Sequence, residues 1–144
     1  MVRFGELLVA GAAFALASVS PRAQDGEGVL VVYVEGIEVA DGQILVELFD
    51  SAEAFRTKPL YSRALPADED ADVHLRFENL PPGEYAVSAW HDVDADGELR
   101  LSFMGRPKEP VGYSNGARYG FAPPQFAEAA FRIDPGLNEV IIRF

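Results

Sequence analysis

The 144-residue sequence contains no cysteine, which excludes disulfide bonds, thiol catalysis and zinc sites with thiolate ligands. A chain without disulfides must be held together by its hydrophobic core. Basic residues are also scarce: 12 lysines and arginines stand against 23 acidic residues, for a net charge of −11. Phosphate backbones repel a chain of this charge, so we expect no nucleic-acid partner, and anionic lipid surfaces are disfavoured for the same reason.

The sequence also lacks an uncharged apolar run of the roughly 20 residues that a transmembrane helix needs. The run Leu7–Val19 is shorter, follows Arg3 and is followed by small residues. This layout is typical of a secretory signal peptide, cleaved after Ala23 or, alternatively, after Ala17. We therefore predict a signal peptide over residues 1–23, no transmembrane segment in the mature chain, and a periplasmic or secreted component of a bacterial envelope.

The rest of the sequence is dominated by the hydrophobic alternation of β-strands. The patterns predict strands over Gly28–Ile37, Gln43–Phe49, Val73–Glu78, Tyr85–His91, Leu99–Phe103, Ala127–Ile133 and Glu139–Phe144. Turn signals such as Asp41-Gly42 separate them, and residues 56–71 are predicted to be loop. About seven short strands at hairpin spacing predict an all-β fold, an antiparallel β-sandwich of the Greek-key type. A single such domain is expected over residues 28–144.

Residues 104–125 have almost no strand character, because glycine, proline and asparagine recur along them. Structureless loops of this length are uncommon in compact domains and are usually functional. The segment carries several aromatic residues, which predicts one long ordered loop. It offers a candidate surface for an envelope glycan, peptide or small molecule, formed by Tyr113, Asn115, Arg118 and Tyr119. The competing interpretation is that its aromatic residues simply pack against the sheet.

The most distinctive motif lies at residues 91–97, which read His-Asp-Val-Asp-Ala-Asp-Gly. The aspartates and the glycine occupy positions 1, 3, 5 and 6 of the first half of an EF-hand calcium loop. The bidentate glutamate of position 12 is missing, because Phe103 stands there. We predict a weak Ca²⁺ site, with affinity on the order of 10⁻⁴–10⁻³ M. Its candidate ligands are Asp92, Asp94, Asp96, Glu98 and Glu109.

Other interpretations of this motif need no ion. Aspartate and glycine are favoured at solvated hairpin tips for turn geometry alone. Alternatively, Arg100, Arg106 or Arg118 is able to lie across the aspartates. A hydrolase triad of His91, Asp92 and Ser114 is a remote alternative, since neighbouring strand residues point to opposite faces. The sequence also lacks the Gly-x-Ser-x-Gly nucleophile motif. We therefore expect no catalytic residues and no enzymatic activity.

Two groups of motifs resemble known families. Residues 80–87, Leu-Pro-Pro-Gly-Glu-Tyr-Ala-Val, resemble the turn and strand of transthyretin-like sandwich modules. A longer series is similar to a bacterial secreted family, domain of unknown function 2141: His91-Asp92, the acidic turn, Gly105-Arg106-Pro107, Glu109-Pro110, Gly112-Tyr113-Ser114-Asn115, Pro123-Pro124 and Ala129-Ala130-Phe131. This resemblance spans residues 28–144 and implies a signal peptide, an all-β fold and no established activity. In that family Asp commonly follows the leucine after the acidic turn, whereas Arg100 follows Leu99 here, which weakens any cation site.

Overall fold

The computed structural model describes residues 26–68 and 73–144, so the predicted signal peptide lies outside the described residues. The described chain is nearly all β. Its strands are β1 (Gly28–Glu35), β2 (Gln43–Phe49), β3 (Tyr61–Pro66), β4 (Val73–Leu80), β5 (Gly83–Asp92), β6 (Val111–Tyr113), β7 (Phe131–Ile133) and β8 (Gly136–Arg143). A 3-10 helix spans Ser114–Gly116, and one short α-helix, α1, spans Phe126–Ala129. Within the described ranges, no helix has the length and apolar character to cross a membrane.

The strands form two sheets. The first sheet has the order β4-β1-β8, and the second has the order β3-β2-β5-β6, with β7 also paired to β5. The all-β sandwich is therefore confirmed. Most neighbours are antiparallel, but β1 and β8 run parallel over their whole length. Hairpin spacing does not predict this pair, because the two strands come from opposite ends of the domain.

The main core fills the space between the two sheets. Alternate side chains of β1, β2 and β5 point into it, and the fully buried ones include Leu30, Val32, Ile44, Val46, Leu48 and Val87. Each aliphatic side chain buried in this way stabilises the fold by roughly 1.5–3 kcal/mol before conformational entropy is subtracted. The core thus supplies the stability that disulfides would otherwise provide.

Residues 56–71, which were predicted to be loop, contain a strand. β3 pairs with β2 in antiparallel register from Gln43↔Pro66 to Leu48↔Tyr61. Nearly every residue of β3 is exposed, because it is the edge strand of the second sheet. An exposed edge strand buries no alternating apolar face, so hydrophobic periodicity does not reveal it.

Two further predicted strands are wrong in part. Ala127–Ile133 is not one strand, since α1 occupies its first residues and β7 begins only at Phe131. A capping box starts α1, in which the side chains of Gln125 and Glu128 each bond the other residue's backbone. The predicted strand Leu99–Phe103 is reduced to an isolated bridge between Leu101 and Pro107.

The long segment after the acidic loop returns to the sheet as β6, which pairs with β5. Before β6 it forms a small hairpin, in which the backbone N–H of Ser102 donates to the carbonyl of Arg106 at 2.7 Å. After β6 the Tyr119 hydroxyl donates to the carbonyl of Gly105 at 2.6 Å. Residues 104–125 are thus an ordered layer over the second sheet, and part of that layer is itself a strand.

A second, smaller core lies on the outer face of the second sheet, formed by Phe49, Phe55, Ala86, Tyr113 and Ala129. The Phe55 ring, from the turn after β2, meets the Phe49 ring edge-on at a centroid distance of 5.2 Å. It also meets Phe126 of α1 at 5.8 Å. Edge-to-face contacts of this kind hold the β2 turn and α1 against the sheet.

Gly42, in the turn before β2, packs directly beneath the start of the acidic loop. Its φ is +76°, and a Cβ atom there would collide with the carbonyl oxygens of Asp92 and Val93. We expect Gly42→Ala to lower the free energy of unfolding by about 2–4 kcal/mol, measured by urea denaturation. Gly105→Ala is the matched control, because Gly105 has a φ of +77° with open space around it. Equal losses in the two variants would contradict the close packing of turn and loop.

Candidate metal centre and binding cleft

The acidic loop is built on the carboxylate of Asp92, the last residue of β5. This side chain is fully buried. One carboxylate oxygen accepts hydrogen bonds from Nε2 of Gln43 and from the backbone N–H of Gly97, each at 2.8 Å. The other oxygen accepts from the backbone N–H of Asp96 at 3.1 Å. The first aspartate of the motif therefore folds the loop back on itself and fastens it to β2.

Opposing effects act on the pKa of Asp92. Burial raises the pKa, but the hydrogen bonds from Gln43, Gly97 and Asp96 together outweigh burial and lower it below its ordinary value of 3.8. The carboxylate is therefore ionised at neutral pH although water does not reach it. A buried charge is tolerable only when it is hydrogen-bonded, and three donors satisfy that requirement here.

The three aspartates of the motif converge. Asp92, Asp94 and Asp96 each place a carboxylate oxygen within 4.8 Å of the others. Carboxylate oxygens are the ligands preferred by hard cations such as Ca²⁺. This cluster of the described chain could hold a metal ion.

Arg100 lies across two of these carboxylates. Its guanidinium contacts Asp94 and donates to Asp96 at 2.7 Å. This bond is the main reason why the pKa of Asp96 is lowered and the pKa of Arg100 is raised. The interpretation in which an arginine relieves the repulsion among the aspartates is confirmed.

Of the other two predicted ligands, Glu109 reaches the loop and Glu98 does not join the cluster. The Glu109 Oε1 atom accepts a hydrogen bond from the backbone N–H of Val93 at 3.2 Å. Its Oε2 atom is buried and has no hydrogen-bond partner among the described residues. Glu98 is exposed and contributes its backbone N–H, which donates to Asp96 at 2.9 Å.

A cleft of about 270 Å³ lies on the same outer face of the second sheet. Its floor follows from strand register, which places Glu47, Ser88 and Tyr113 side by side across β2, β5 and β6. Trp90 lies one row further along β5, and Asp92 follows in the next row. The walls of the cleft come from the turn after β2 and from the long segment, and they are lined by Arg56, Leu99, Leu101, Tyr119 and Pro123.

The polar groups of the cleft perturb one another. Burial raises the pKa of Glu47, and the Ser88 hydroxyl, which donates to its carboxylate at 3.4 Å, opposes this effect. Burial also raises the pKa of Tyr113. The charges of Arg56 and Glu47 act on that hydroxyl in opposite directions, so both lie within electrostatic range of it. No sequence pattern indicates Glu47 or Ser88 as site residues, because only the strand register brings them beside Tyr113.

The four residues that were predicted to form a surface for a glycan, peptide or small molecule do not lie together. Tyr113 is buried in the second core, and Tyr119 is half-buried. These two side chains and Arg118 line a neighbouring cleft of about 280 Å³ that borders β8. Asn115 lies elsewhere, with its side-chain amide donating to the carbonyl of Glu128 at 3.2 Å. The structure does not gather the four predicted residues into a single exposed surface.

Two of the three candidate catalytic side chains, His91 and Ser114, bond to the backbone. The Nε2 atom of His91 donates to the carbonyl of Asp41 at 2.7 Å, on the face of β5 opposite to Asp92. The Ser114 hydroxyl is buried and donates to the carbonyl of Ala129 at 2.6 Å. It also accepts a hydrogen bond from the backbone N–H of Val87 at 2.8 Å. Each group therefore has a structural role in this fold.

The role of Asp92 predicts a pH dependence of stability. Its lowered pKa means that it stabilises the folded state above pH 3.8, and that this contribution is lost as the pH falls through the folded-state pKa. We expect Asp92→Asn to cost about 2 kcal/mol in urea denaturation at pH 7, because a neutral amide accepts these bonds less strongly. The difference between variant and wild type should shrink steadily below pH 4. Glu98→Gln, an exposed change in the same loop, is the control, and a pH-independent difference would contradict the assignment.

The sequence of the chain was compared with curated proteins, solved structures and protein-family models. No curated protein and no solved structure matched the chain. The model of the family described as "Uncharacterized protein conserved in bacteria (DUF2141)" matches residues 32–141. This range includes the acidic loop, the cleft and most of both sheets. Because the match covers most of the chain, the predicted resemblance to this bacterial family is confirmed and the protein belongs to the DUF2141 family.

Proposed function

We propose that the protein is an exported, non-enzymatic β-sandwich module of a bacterial envelope, in which Ca²⁺ fastens the acidic loop to the second sheet. The observation that carries the proposal is the convergence of the Asp92, Asp94 and Asp96 carboxylates at the end of β5. The Glu109 side chain also reaches the loop, and its buried Oε2 atom has no hydrogen-bond partner in the part of the chain that the structure describes. The backbone bonding of His91 and Ser114 supports the absence of a catalytic role.

In this proposal Ca²⁺ and Arg100 compete for the same carboxylates. The side chains of Arg100 and Asp94 are 56% and 44% exposed. An ion pair in such contact with water is screened and contributes little to stability, so displacing the guanidinium costs little. Asp92, Asp94 and Asp96 would then be the carboxylates that hold Ca²⁺. The competition accounts for a weak site in the millimolar range rather than a tight one.

The ion would act on stability rather than on chemistry. A ligand that binds only the folded state stabilises it by mass action, and the loop carboxylates converge only when β5 and β2 are paired through Gln43 and Asp92. The loop leads into the segment that covers the cleft. Binding Ca²⁺ would therefore tighten that cover as well as raise the melting temperature.

Arg100→Gln tests the competition. We expect wild-type protein in 10 mM Ca²⁺ to gain about 1–3 kcal/mol over protein in chelator, a rise of several degrees in melting temperature. The variant should melt lower than wild type in chelator and gain more from Ca²⁺, because nothing competes with the ion. Arg132→Gln is the matched control, since Arg132 is an exposed arginine paired with Asp134 at 2.9 Å, outside the loop. If Ca²⁺ changes the melting temperature of neither the wild type nor Arg100→Gln, the acidic loop does not bind Ca²⁺ and this part of the proposal is wrong.

Export is tested separately. Residues 1–25, fused to a reporter enzyme that is active only outside the cytoplasm, should direct that enzyme across the inner membrane. Ala13→Arg places a charge in the middle of the apolar stretch and should abolish transport, because an uninterrupted apolar stretch is required. Reporter activity that is absent with the natural segment, or unaffected by Ala13→Arg, would contradict the proposal.

A second candidate function is the binding of a small molecule in the cleft on the second sheet. The observation that favours it is the half-buried carboxylate of Glu47, which shares the cleft with Trp90, Tyr113 and Tyr119. Ligand sites combine apolar and aromatic walls with a few placed polar groups in this way. The long segment would then cover the site, as the interpretation of residues 104–125 as a binding loop requires.

A further inference from the structure

We propose that the cleft on the second sheet binds a small, extended zwitterion, with the ammonium group of the ligand at Glu47 and its carboxylate at Arg56. This inference rests on the second candidate function and names its ligand class. It follows from two opposite charges that line one cleft without pairing with each other, and from the apolar floor between them.

Glu47 forms the negative end of the cleft. Its carboxylate is half-buried and accepts a long hydrogen bond from the Ser88 hydroxyl at 3.4 Å. Within the described residues it takes part in no ion pair. A carboxylate withdrawn from water in this way gains from a cation or from strong donors placed beside it. An ammonium group supplies both at once.

Arg56 forms the positive end. It lies in the turn after β2, where its backbone adopts a φ of +62°. Neighbouring Phe55 is anchored in the second core, so the turn that carries Arg56 is held in place. In the described part of the chain the guanidinium has no carboxylate partner. Arginine binds carboxylates with two parallel hydrogen bonds, which makes the carboxylate of a ligand its natural complement.

The floor between the two charges suits a short hydrocarbon chain. Trp90 and Tyr113 are buried floor residues, and Leu101 and Tyr119 line the wall. Glu47 and Tyr113 are two strand spacings apart in the same row, about 10 Å between their Cα atoms. Glu47 and Arg56 line the same cleft and form no ion pair among the described residues, so a ligand that meets both must carry its two charges on separate groups several bonds apart. A volume of about 270 Å³ limits the ligand to a small molecule.

Other charge classes fit the cleft less well. Arg56 is exposed, so a ligand with one positive charge leaves it in water and lacks only the attraction between its guanidinium and a carboxylate, whereas Glu47 repels a ligand with one negative charge. A neutral ligand removes more water from Glu47 without compensating its charge. Each mismatch costs binding free energy, so the cleft selects for both charges on one molecule.

Trp90 provides the measurement, because it is the only tryptophan of the chain and lies on the cleft floor. The full chain is titrated at pH 8 with 6-aminohexanoate as the zwitterionic probe. Hexylamine and hexanoate carry the same chain with one charge each, and hexanol carries none. We expect a saturable change in Trp90 fluorescence with 6-aminohexanoate, and binding at least about tenfold weaker with each of the other three.

Two variants test whether Glu47 binds the ammonium group of the ligand and Arg56 binds its carboxylate. Glu47→Gln should weaken 6-aminohexanoate binding about tenfold and make hexanoate as good a ligand as the zwitterion. Arg56→Gln should weaken it similarly and make hexylamine as good a ligand. The matched controls are Glu84→Gln and Arg76→Gln, exposed residues outside the cleft, which should bind like wild type. Thermal melts of each variant establish that it is folded.

The possible failures are distinguishable. If none of the four probes changes Trp90 fluorescence or releases heat in calorimetry, the cleft is not a site for such ligands. That result would contradict both the zwitterion proposal and the second candidate function. If hexylamine or hexanoate binds wild type as tightly as 6-aminohexanoate does, the cleft remains a binding site and the zwitterion is wrong. Unchanged probe preference in Glu47→Gln and Arg56→Gln also overturns the assignment of the ends.

Discussion

The carboxylate of Asp92 connects the sandwich to everything built upon its second sheet. It is withdrawn from water at the end of β5, and it is satisfied by one side chain from β2 and by two backbone N–H groups of the acidic loop. These bonds fix the direction in which the chain leaves the sheet. The hairpin that follows, β6 and the segment over the cleft all depend on that direction. A single buried charge thus organises a large irregular part of the fold.

The acidic loop and the cleft belong to one continuous face. The outward residues of β5 run from Ser88 through Trp90 to Asp92, so the floor of the cleft ends where the loop begins. The loop then supplies Leu99 and Leu101 to the wall of the cleft. Any cation that tightens the loop, whether Arg100 or a bound ion, would therefore act on the cleft as well. The two candidate functions are compatible because they use neighbouring parts of the same face.

Local patterns predicted most of the structure correctly. Alternation identified the buried strands, and the resemblance identified the family. The spacing of Asp92, Asp94 and Asp96 predicted their convergence, because a tight turn with glycine can bring such side chains together. Of the three arginines that the sequence offers to lie across them, the structure places Arg100 there. The failures have physical causes: β3 is an exposed edge without an apolar face, and a strong capping box overrides strand propensity at α1.

The sequence alone determined the features that depend on near neighbours: the strands that bury alternate side chains, the absence of disulfides, the acidic charge, and the turn that gathers three aspartates. Only the tertiary structure decided which distant residues share a row. It paired β1 with β8 from opposite ends of the domain, and it placed Glu47, Ser88 and Tyr113 side by side across three strands. The local hydrophobic pattern decides which face of each strand is buried, but the choice of neighbouring strand is made when whole sheets pack, so the residues that share a row are not evident from either strand alone.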